Sequence, residues 1–362
     1  MIGRREHVTR APDELRPYSR RLLEVDDLAT HFTTPRGKVR AVDGVSFALE
    51  RGRTLGLVGE SGSGKSVLSR SIMGLLPGNV ERQGSVAFED HRLDQMGPAE
   101  LRSFWGTQIA MVFQDPMTSL NPVMRIGRQI TEPLRFHLGM DRREAEKMAL
   151  ALLASVNIPE PGRRLRQYPH ELSGGMRQRV VIAIALACGP KLLFADEPTT
   201  ALDVTVQSQI LDLLRTQQRE RDMAMVLVTH DLGVVAGHTD EVAVMYAGQI
   251  VEQAPTRTLF ASMRMPYTAA LLQSIPRLAN ASHTRLDVIA GRPPDLLDPP
   301  RGCRFAPRCP YAQDRCREEP PPLQEADEPG HVYRCWFPVG TERGQEALER
   351  NLAAPVPQGV DG

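Results

Sequence analysis

From Leu22 to Glu50 apolar and polar residues alternate, the period of a half-buried strand. Pro35-Arg36-Gly37 and Asp43-Gly44 add turn chemistry, so the segment predicts antiparallel strands. A short apolar run, Thr54 to Val58, predicts a buried strand that feeds a glycine-rich turn. Helical spacing follows over Val67 to Leu76 and stops at Pro77-Gly78. Arg142 to Val156 and Gly174 to Ala187 each read as a helix, a helical insertion between two halves of the chain. Lys191 to Asp196, Ala224 to Thr229 and Glu241 to Tyr246 are then β-rich apolar runs, with a helix over Val206 to Glu220 between the first two. Apolar strands that alternate with helices predict a mostly parallel sheet, so the fold class is α/β.

Beyond about Met263 this patterning stops. Residues 291–338 hold eleven of the 29 prolines and four of the five cysteines, which predicts a loop-rich segment that needs some cross-link to stay ordered. Met1 to Arg21 carry six arginines and no apolar block, so a disordered tail is expected there and not a secretory signal. The expected organisation is a tail at 1–20, an α/β domain at 21–262 with a helical subdomain at about 115–188, a C-terminal domain at 263–340 and a tail at 341–362.

Charge and hydropathy narrow the classes. Lys+Arg and Asp+Glu both count 44, so no overall field favours nucleic acid or an anionic membrane. Spanning a bilayer takes about 20 apolar residues, and the best run, Val180 to Cys188, is half as long; any membrane role is expected to be peripheral. Cys188, alone in that run, reads as a buried, inert thiol.

Three segments carry chemistry. In Gly59-Glu60-Ser61-Gly62-Ser63-Gly64-Lys65-Ser66 the glycines let successive backbone N–H groups turn toward one point at a helix N-terminus, a cradle for phosphate. Lys65 adds a point charge for the β and γ phosphates and Ser66 a hydroxyl for Mg2+. Leu192 to Ala195 lead into Asp196-Glu197, placing two carboxylates at the end of a buried strand, where open α/β sheets bind ligands. Asp196 would orient Mg2+, and Glu197 would polarise an attacking water. Between them, Leu172-Ser173-Gly174-Gly175-Met176-Arg177-Gln178 opens a helix with a hydroxyl and free N–H groups. Taken alone that segment is equally an ordinary N-cap.

In this order the segments resemble the nucleotide-binding subunits of ABC transporters, and residues 22–340 look most like the dipeptide/oligopeptide-type importer ATPase. The resemblance implies a P-loop NTPase ABC nucleotide-binding domain, with a RecA-like core, an antiparallel β subdomain, a helical subdomain and a small loop-rich C-terminal domain. It implies that ATP and Mg2+ are bound by Gly59, Ser61, Gly62, Ser63, Gly64, Lys65, Ser66, Val67, Gln114, Asp196, Glu197 and His230, with Ser66, Gln114 and Asp196 on the metal. Gln114 in Phe113-Gln114-Asp115-Pro116 resembles the Q-loop, Ala201-Leu202-Asp203 the D-loop, and His230 the switch histidine. Glu197, His230, Gln114 and Lys65 would be the catalytic set. Phe32 is the aligned adenine platform, with Val39 as the alternative. Two subunits would sandwich two ATP molecules, so Ser173, Gly174, Gly175, Gln178 and Asp203 would serve a nucleotide held by a partner.

The implied partners are a second ABC ATPase subunit, usually a paralogue, two transmembrane permease subunits and, indirectly, an extracytoplasmic peptide-binding protein, with no nucleic acid. The implied place is the cytoplasmic face of the inner membrane. A nickel or other small-solute importer shares the core motifs and is the alternative. A soluble ABC protein acting on nucleic acid or ribosomes fits less well, because Lys65 and Asp196 are only 131 positions apart and no second phosphate loop occurs. A catalytically dead subunit would be expected to lack Glu197 or His230, and both are present.

Cys303, Cys309, Cys316 and Cys335 show none of the close Cys-x2–4-Cys pairs usual for zinc, and disulfides suit a protein working on ATP poorly. By resemblance to peptide-importer subunits they imply a [4Fe-4S] cluster, with zinc or unligated thiols as alternatives.

Overall fold

The computed structural model describes residues 21–200, 202–274 and 289–353. The expected tail at 1–20 and Ala201 of the D-loop lie outside the described residues.

The twelve strands among the described residues are β1 (Arg21–Thr34), β2 (Gly37–Glu50), β3 (Thr54–Val58), β4 (Val80–Phe88), β5 (His91–Arg92), β6 (Ile109–Val112), β7 (Leu192–Asp196), β8 (Ala224–Thr229), β9 (Glu241–Tyr246), β10 (Gln249–Pro255), β11 (Gln324–Glu325) and β12 (Val332–Tyr333). They form an antiparallel sheet in the order β2-β1-β4-β5 and a mixed sheet in the order β11-β12-β10-β9-β3-β8-β7-β6. The run from β9 to β6 is parallel, and every residue of β3, β7 and β8 is buried. Continuous apolar sequence is what a strand covered on both faces requires. In that order β8 separates the strand that enters the phosphate turn from the strand that ends at Asp196.

The alternating segment at the start folds as expected into β1 and β2, joined at Pro35-Arg36. Asp43-Gly44 is not a turn but lies inside β2, where the pairing slips between Leu28↔Val45 and Thr30↔Val42. Gly44 takes a φ of +72° there, so the glycine that looked like a chain reversal supplies a β-bulge. The helix expected over Val67 to Leu76 starts earlier and ends sooner, at Lys65–Ile72, because Gly74 turns the chain at a φ of +69°.

One hydrophobic core fills the space between the antiparallel sheet and the mixed sheet, with Leu68 and Ile72 of the phosphate-loop helix inside it. A second holds the helices Ile126–Leu138, Arg142–Ser155, Gly174–Leu186 and Val204–Glu220 together with Leu193, Ala195 and Leu227 of the sheet. The helix Arg142–Ser155 starts at a reciprocal cap: Asp141 accepts from the Glu144 N–H at 2.9 Å, and Glu144 accepts from the Asp141 N–H at 2.9 Å.

A third core joins β9 and β10 to the C-terminal segment through Tyr246, Tyr267, Phe305 and Cys335. That segment is loop-rich, with short pieces of structure at Ala306–Arg308, Asp314–Glu318, β11 and β12. The C-terminal tail expected at 341–362 begins with a helix, Glu342–Ala353, which buries Ala347, and residues 354–362 lie outside the described residues. Gln313 Nε2 donates to the Ala347 carbonyl at 3.1 Å and so fastens that helix to the cysteine segment.

Candidate nucleotide site

The phosphate turn is shaped by positions only glycine can hold. Gly64 has a φ of +104°, and a Cβ placed on it would lie 2.3 Å from the Ala41 carbonyl oxygen. Lys65 opens the helix Lys65–Ile72 and folds back, its Nζ donating to the Gly59 and Glu60 carbonyls at 2.7 and 3.0 Å. Burial pushes this ammonium below its usual range, opposed by the charges of Glu197, Asp196 and Glu60. Ser63 Oγ is buried with no hydrogen-bond partner, a polar atom aimed into the turn without a bonded group. Val67, in the first turn of the same helix, packs against the core, and Ser61 and Gly62 are exposed at the mouth of the loop.

Across β8, Ser66 Oγ donates to Asp196 Oδ1 at 2.9 Å. The second oxygen, Asp196 Oδ2, is buried and unpartnered. Burial raises the Asp196 carboxyl above its ordinary range, and the Ser66 hydrogen bond and Arg70 oppose that rise. A buried, half-satisfied carboxylate beside a serine hydroxyl fits a hard divalent cation such as Mg2+, which takes oxygen ligands.

Glu197 is the hub of the opposite wall. Its φ of +46° turns the side chain away from the strand direction, while its N–H still bonds the Val228 carbonyl at 3.0 Å. Onto its Oε2 converge Gln114 Nε2 at 3.0 Å, Thr200 Oγ1 at 3.0 Å and His230 Nδ1 at 3.5 Å. Thr200 was not singled out by the sequence. Its position three residues after a motif carboxylate was the available signal, the spacing at which a side chain can reach back across a tight turn.

The middle segment stands apart. Ser173 caps the helix Gly174–Leu186, its Oγ accepting from the Met176 N–H at 3.4 Å, and Asp203 caps Val204–Glu220, accepting from the Val206 N–H at 2.9 Å. A Cβ on Gly175 would lie 2.8 Å from Val206 Cγ1, so these two helix starts approach closely. Gln178 is buried with its Nε2 unpartnered. Among the described residues no hydrogen bond or ion pair joins Ser173, Gly174, Gly175, Gln178 or Asp203 to residues 59–66. Phe32 and Val39, the two candidates for the adenine platform, are direct cross-strand partners in β1 and β2, so they form one partly buried patch.

Cys303, Cys309, Cys316 and Cys335 line a single apolar cavity with Met265, Tyr311 and Trp336, and none is in a disulfide. Burial pushes the Cys303 thiol up to about 11 and Cys309 up to about 12, and raises Cys335 further. Among the described residues no group of three or more His, Cys, Asp or Glu side chains is arranged to hold a metal ion, so neither the expected [4Fe-4S] cluster nor zinc follows from this geometry alone. Four free thiols around an apolar cavity is the arrangement present.

A largely parallel sheet with a phosphate turn after β3 and Asp196, bonded to Ser66, at the end of β7 two strands away defines a P-loop nucleotide-binding fold. The ABC transporter family profile matches residues 42–200, and the profile of the oligopeptide/dipeptide transporter C-terminal region matches residues 251–316. The oligopeptide transport ATP-binding protein OppD of Salmonella typhimurium is 50% identical over 318 residues, 88% of this chain and 94% of that protein. The dipeptide transport ATP-binding protein DppD of Bacillus subtilis is 49% identical over 319 residues, 88% of this chain and 95% of that one. The dimeric post-hydrolysis structure of the ATP-binding cassette MJ0796 bound to ADP and Pi aligns with a TM-score of 0.59 at 28% identity, covering 65% of this chain and 99% of that one. The chain belongs to the ABC transporter ATP-binding proteins of the oligopeptide/dipeptide type, and it is a transport ATPase. No helix among the described residues is long and apolar enough to cross a membrane.

Proposed function

We propose that this chain is the ATP-hydrolysing subunit of an importer for di- or oligopeptides, working at the cytoplasmic face of the inner membrane with a second ATPase subunit and two permease subunits. The observation that carries the cargo is the C-terminal region matched at residues 251–316, together with relatives named for oligopeptide and dipeptide transport.

In this reading the N–H groups of residues 62–66 and Lys65 Nζ hold the β and γ phosphates, with Gly59, Ser61 and Val67 completing the cradle and the Phe32–Val39 patch facing adenine. Ser66 and Asp196, joined by Gln114, would hold Mg2+, which supplies charge neutralisation on the phosphates when bound. Glu197 accepts the proton of the attacking water through Oε2, the oxygen on which Gln114, Thr200 and His230 meet. Ser173, Gly174, Gly175, Gln178 and Asp203 would reach the partner's nucleotide, which accounts for helix starts that bond to nothing in their own phosphate loop.

Support for docking on permease subunits comes from apolar side chains exposed around and after Gln114: Phe113, Met117 and Val123, with Phe136 on the helix Ile126–Leu138. Domain closure on ATP would carry this face against the membrane subunits. The four cysteines would hold an iron–sulfur cluster of structural purpose. Their donor set fits, since all four are soft thiols in an apolar cavity and no carboxylate lines it.

Reconstitution with the permease subunits and binding protein tests the cargo. Peptide-stimulated ATPase is expected, whereas stimulation by nickel and not by peptide overturns the peptide reading. Iron and sulfide analysis of anaerobically purified chain tests the cluster, and one zinc per chain without iron excludes it.

A further inference from the structure

Glu60 takes no part in the roles above, yet every polar group it has is bonded. Its carbonyl oxygen accepts from Lys65 Nζ at 3.0 Å, inside the phosphate turn. Its N–H donates to Tyr267 Oη at 2.9 Å. Its carboxylate is gripped by Arg308 through two bonds, Nη1 to Oε2 at 2.7 Å and Nη2 to Oε1 at 2.9 Å. Tyr267 and Arg308 lie 207 and 248 positions away, beyond all the nucleotide motifs.

The holders are themselves fixed. Tyr267 is fully buried, with its ring 4.5 Å from that of Tyr246 and 5.3 Å from that of Phe305. The Arg308 guanidinium stands 5.9 and 6.0 Å from the Tyr246 and Phe305 ring centres. It also donates to Tyr246 Oη at 3.3 Å and to the Ile289 and Ala290 carbonyls at 3.2 and 2.9 Å. The side chain of Arg308 is 3% exposed, so its fork has one available geometry, and a bidentate guanidinium–carboxylate pair transmits that geometry to its partner.

We propose that Arg308, acting through Glu60, is a positioning residue for nucleotide binding, which makes the C-terminal cysteine segment a working part of its own chain's ATP site. The proposal rests on reading residues 59–66 as the phosphate loop. The mechanism is preorganisation. Lys65 Nζ steadies the Gly59 and Glu60 carbonyls, and when Lys65 turns to phosphate that restraint is lost. Arg308 and Tyr267 then hold the start of the loop, so the following N–H groups still converge and less ordering cost falls on binding. Arg308 ends the short helical turn Ala306–Arg308, directly before Cys309 and bonded through its N–H to the Phe305 carbonyl at 2.9 Å. Displacement of the cysteine loop therefore reaches Glu60 through one rigid turn.

The test is equilibrium binding of a fluorescent ATP analogue with Mg2+ to the full chain, alongside hydrogen exchange of the peptide covering residues 59–66. Arg308→Ala should weaken binding about five- to ten-fold, the scale of coupling through a single contact. Glu60→Gln should weaken it by a similar factor, Arg308→Lys by less, and the double variant Glu60→Gln/Arg308→Ala by no more than the worse single. In the assembled transporter the KM for ATP should rise with little change in kcat. Hydrogen exchange at 59–66 should quicken in the nucleotide-free Arg308→Ala chain.

Unchanged affinity in folded Arg308→Ala, or losses that simply add in the double variant, overturns the proposal. If Arg308→Ala fails to fold, Glu60→Gln decides alone: a loss near five-fold supports it and wild-type affinity overturns it. Lys65→Ala is the control for the underlying reading, because wild-type affinity in that variant would refute the phosphate loop itself and not the clasp.

Discussion

Gln114 and Glu197, 83 positions apart in the chain, meet with Nε2 3.0 Å from Oε2. They do so because β6 and β7 are parallel neighbours in the register Val112↔Ala195, so both chains leave the sheet at the same edge two residues later. Glu197→Gln should lower ATP turnover of the assembled transporter by about 100-fold or more, the scale of losing a general base, while ATP binding persists. Single-turnover ATPase with parallel nucleotide-binding measurements checks this. Unchanged turnover removes Glu197 from that role.

Gln114→Ala releases a donor from Glu197 without touching the phosphate turn. ATP affinity measured without Mg2+ should stay within about two-fold, while stimulation of turnover by peptide falls, since the site's state no longer reaches the exposed Phe113 and Met117. Equal basal and stimulated losses would contradict that split.

Asp196 is a buried carboxyl with one oxygen unpaired, and its pKa is raised mainly by burial. A carboxyl raised in the folded state binds protons more readily there than when unfolded, so its contribution to stability falls as pH rises from its ordinary value through the raised one. Asp196→Asn should therefore raise the Tm of the nucleotide-free chain at neutral pH, by about 2–4 °C if one buried unpaired charge is relieved. The same variant should lose the stabilisation that Mg-ATP gives. Thermal melts at pH 5.5 and 7.5, with and without Mg-ATP, read both effects, and the Tm gain should shrink at the lower pH.

Gly64→Ala forces a left-handed φ on an ordinary residue and drives a methyl into the Ala41 carbonyl. A cost of about 1–3 kcal/mol in stability is expected, with loss of ATP binding in whatever folds. Denaturant unfolding and nucleotide binding measure the two separately.

Burial holds the Cys303, Cys309 and Cys335 thiols in their neutral form, Cys303 up to about 11 and Cys309 up to about 12. As free thiols in the native chain they should react with iodoacetamide at pH 8 far more slowly than in the unfolded chain, because the thiolate is the nucleophile. Mass spectrometry of alkylated peptides reports this. Ligation of these thiols by a metal or cluster must release protons, so loading should improve as pH rises.

Much of the scaffold is legible without coordinates. The strands Thr54–Val58, Ala224–Thr229 and Glu241–Tyr246 stand where their apolar runs end, since continuous burial in a parallel sheet leaves a continuous sequence signal. Strands β4 and β6 leave little trace in the sequence, and the reason is physical: β4, Val80–Phe88, is mostly polar over its first half, and β6 is four residues long. The helix Ile126–Leu138 was likewise missed, because Pro133 lies inside it and reads as a breaker. Gly44 misled as a turn because a glycine with positive φ serves bulges and reversals alike.

By itself the sequence determined the local chemistry. The glycines of residues 59–64, the caps Ser173 and Asp203, and the acid pair after Leu192 act within a few positions of the chain, where backbone geometry alone sets what a side chain can reach. Only the tertiary structure decided that Gln114 and His230 share one oxygen of Glu197 and that Arg308 clasps Glu60. Contacts between residues so far apart depend on strand order and register. Many orders bury the same apolar runs equally well, so hydrophobic pattern leaves that choice open until the whole sheet is assembled.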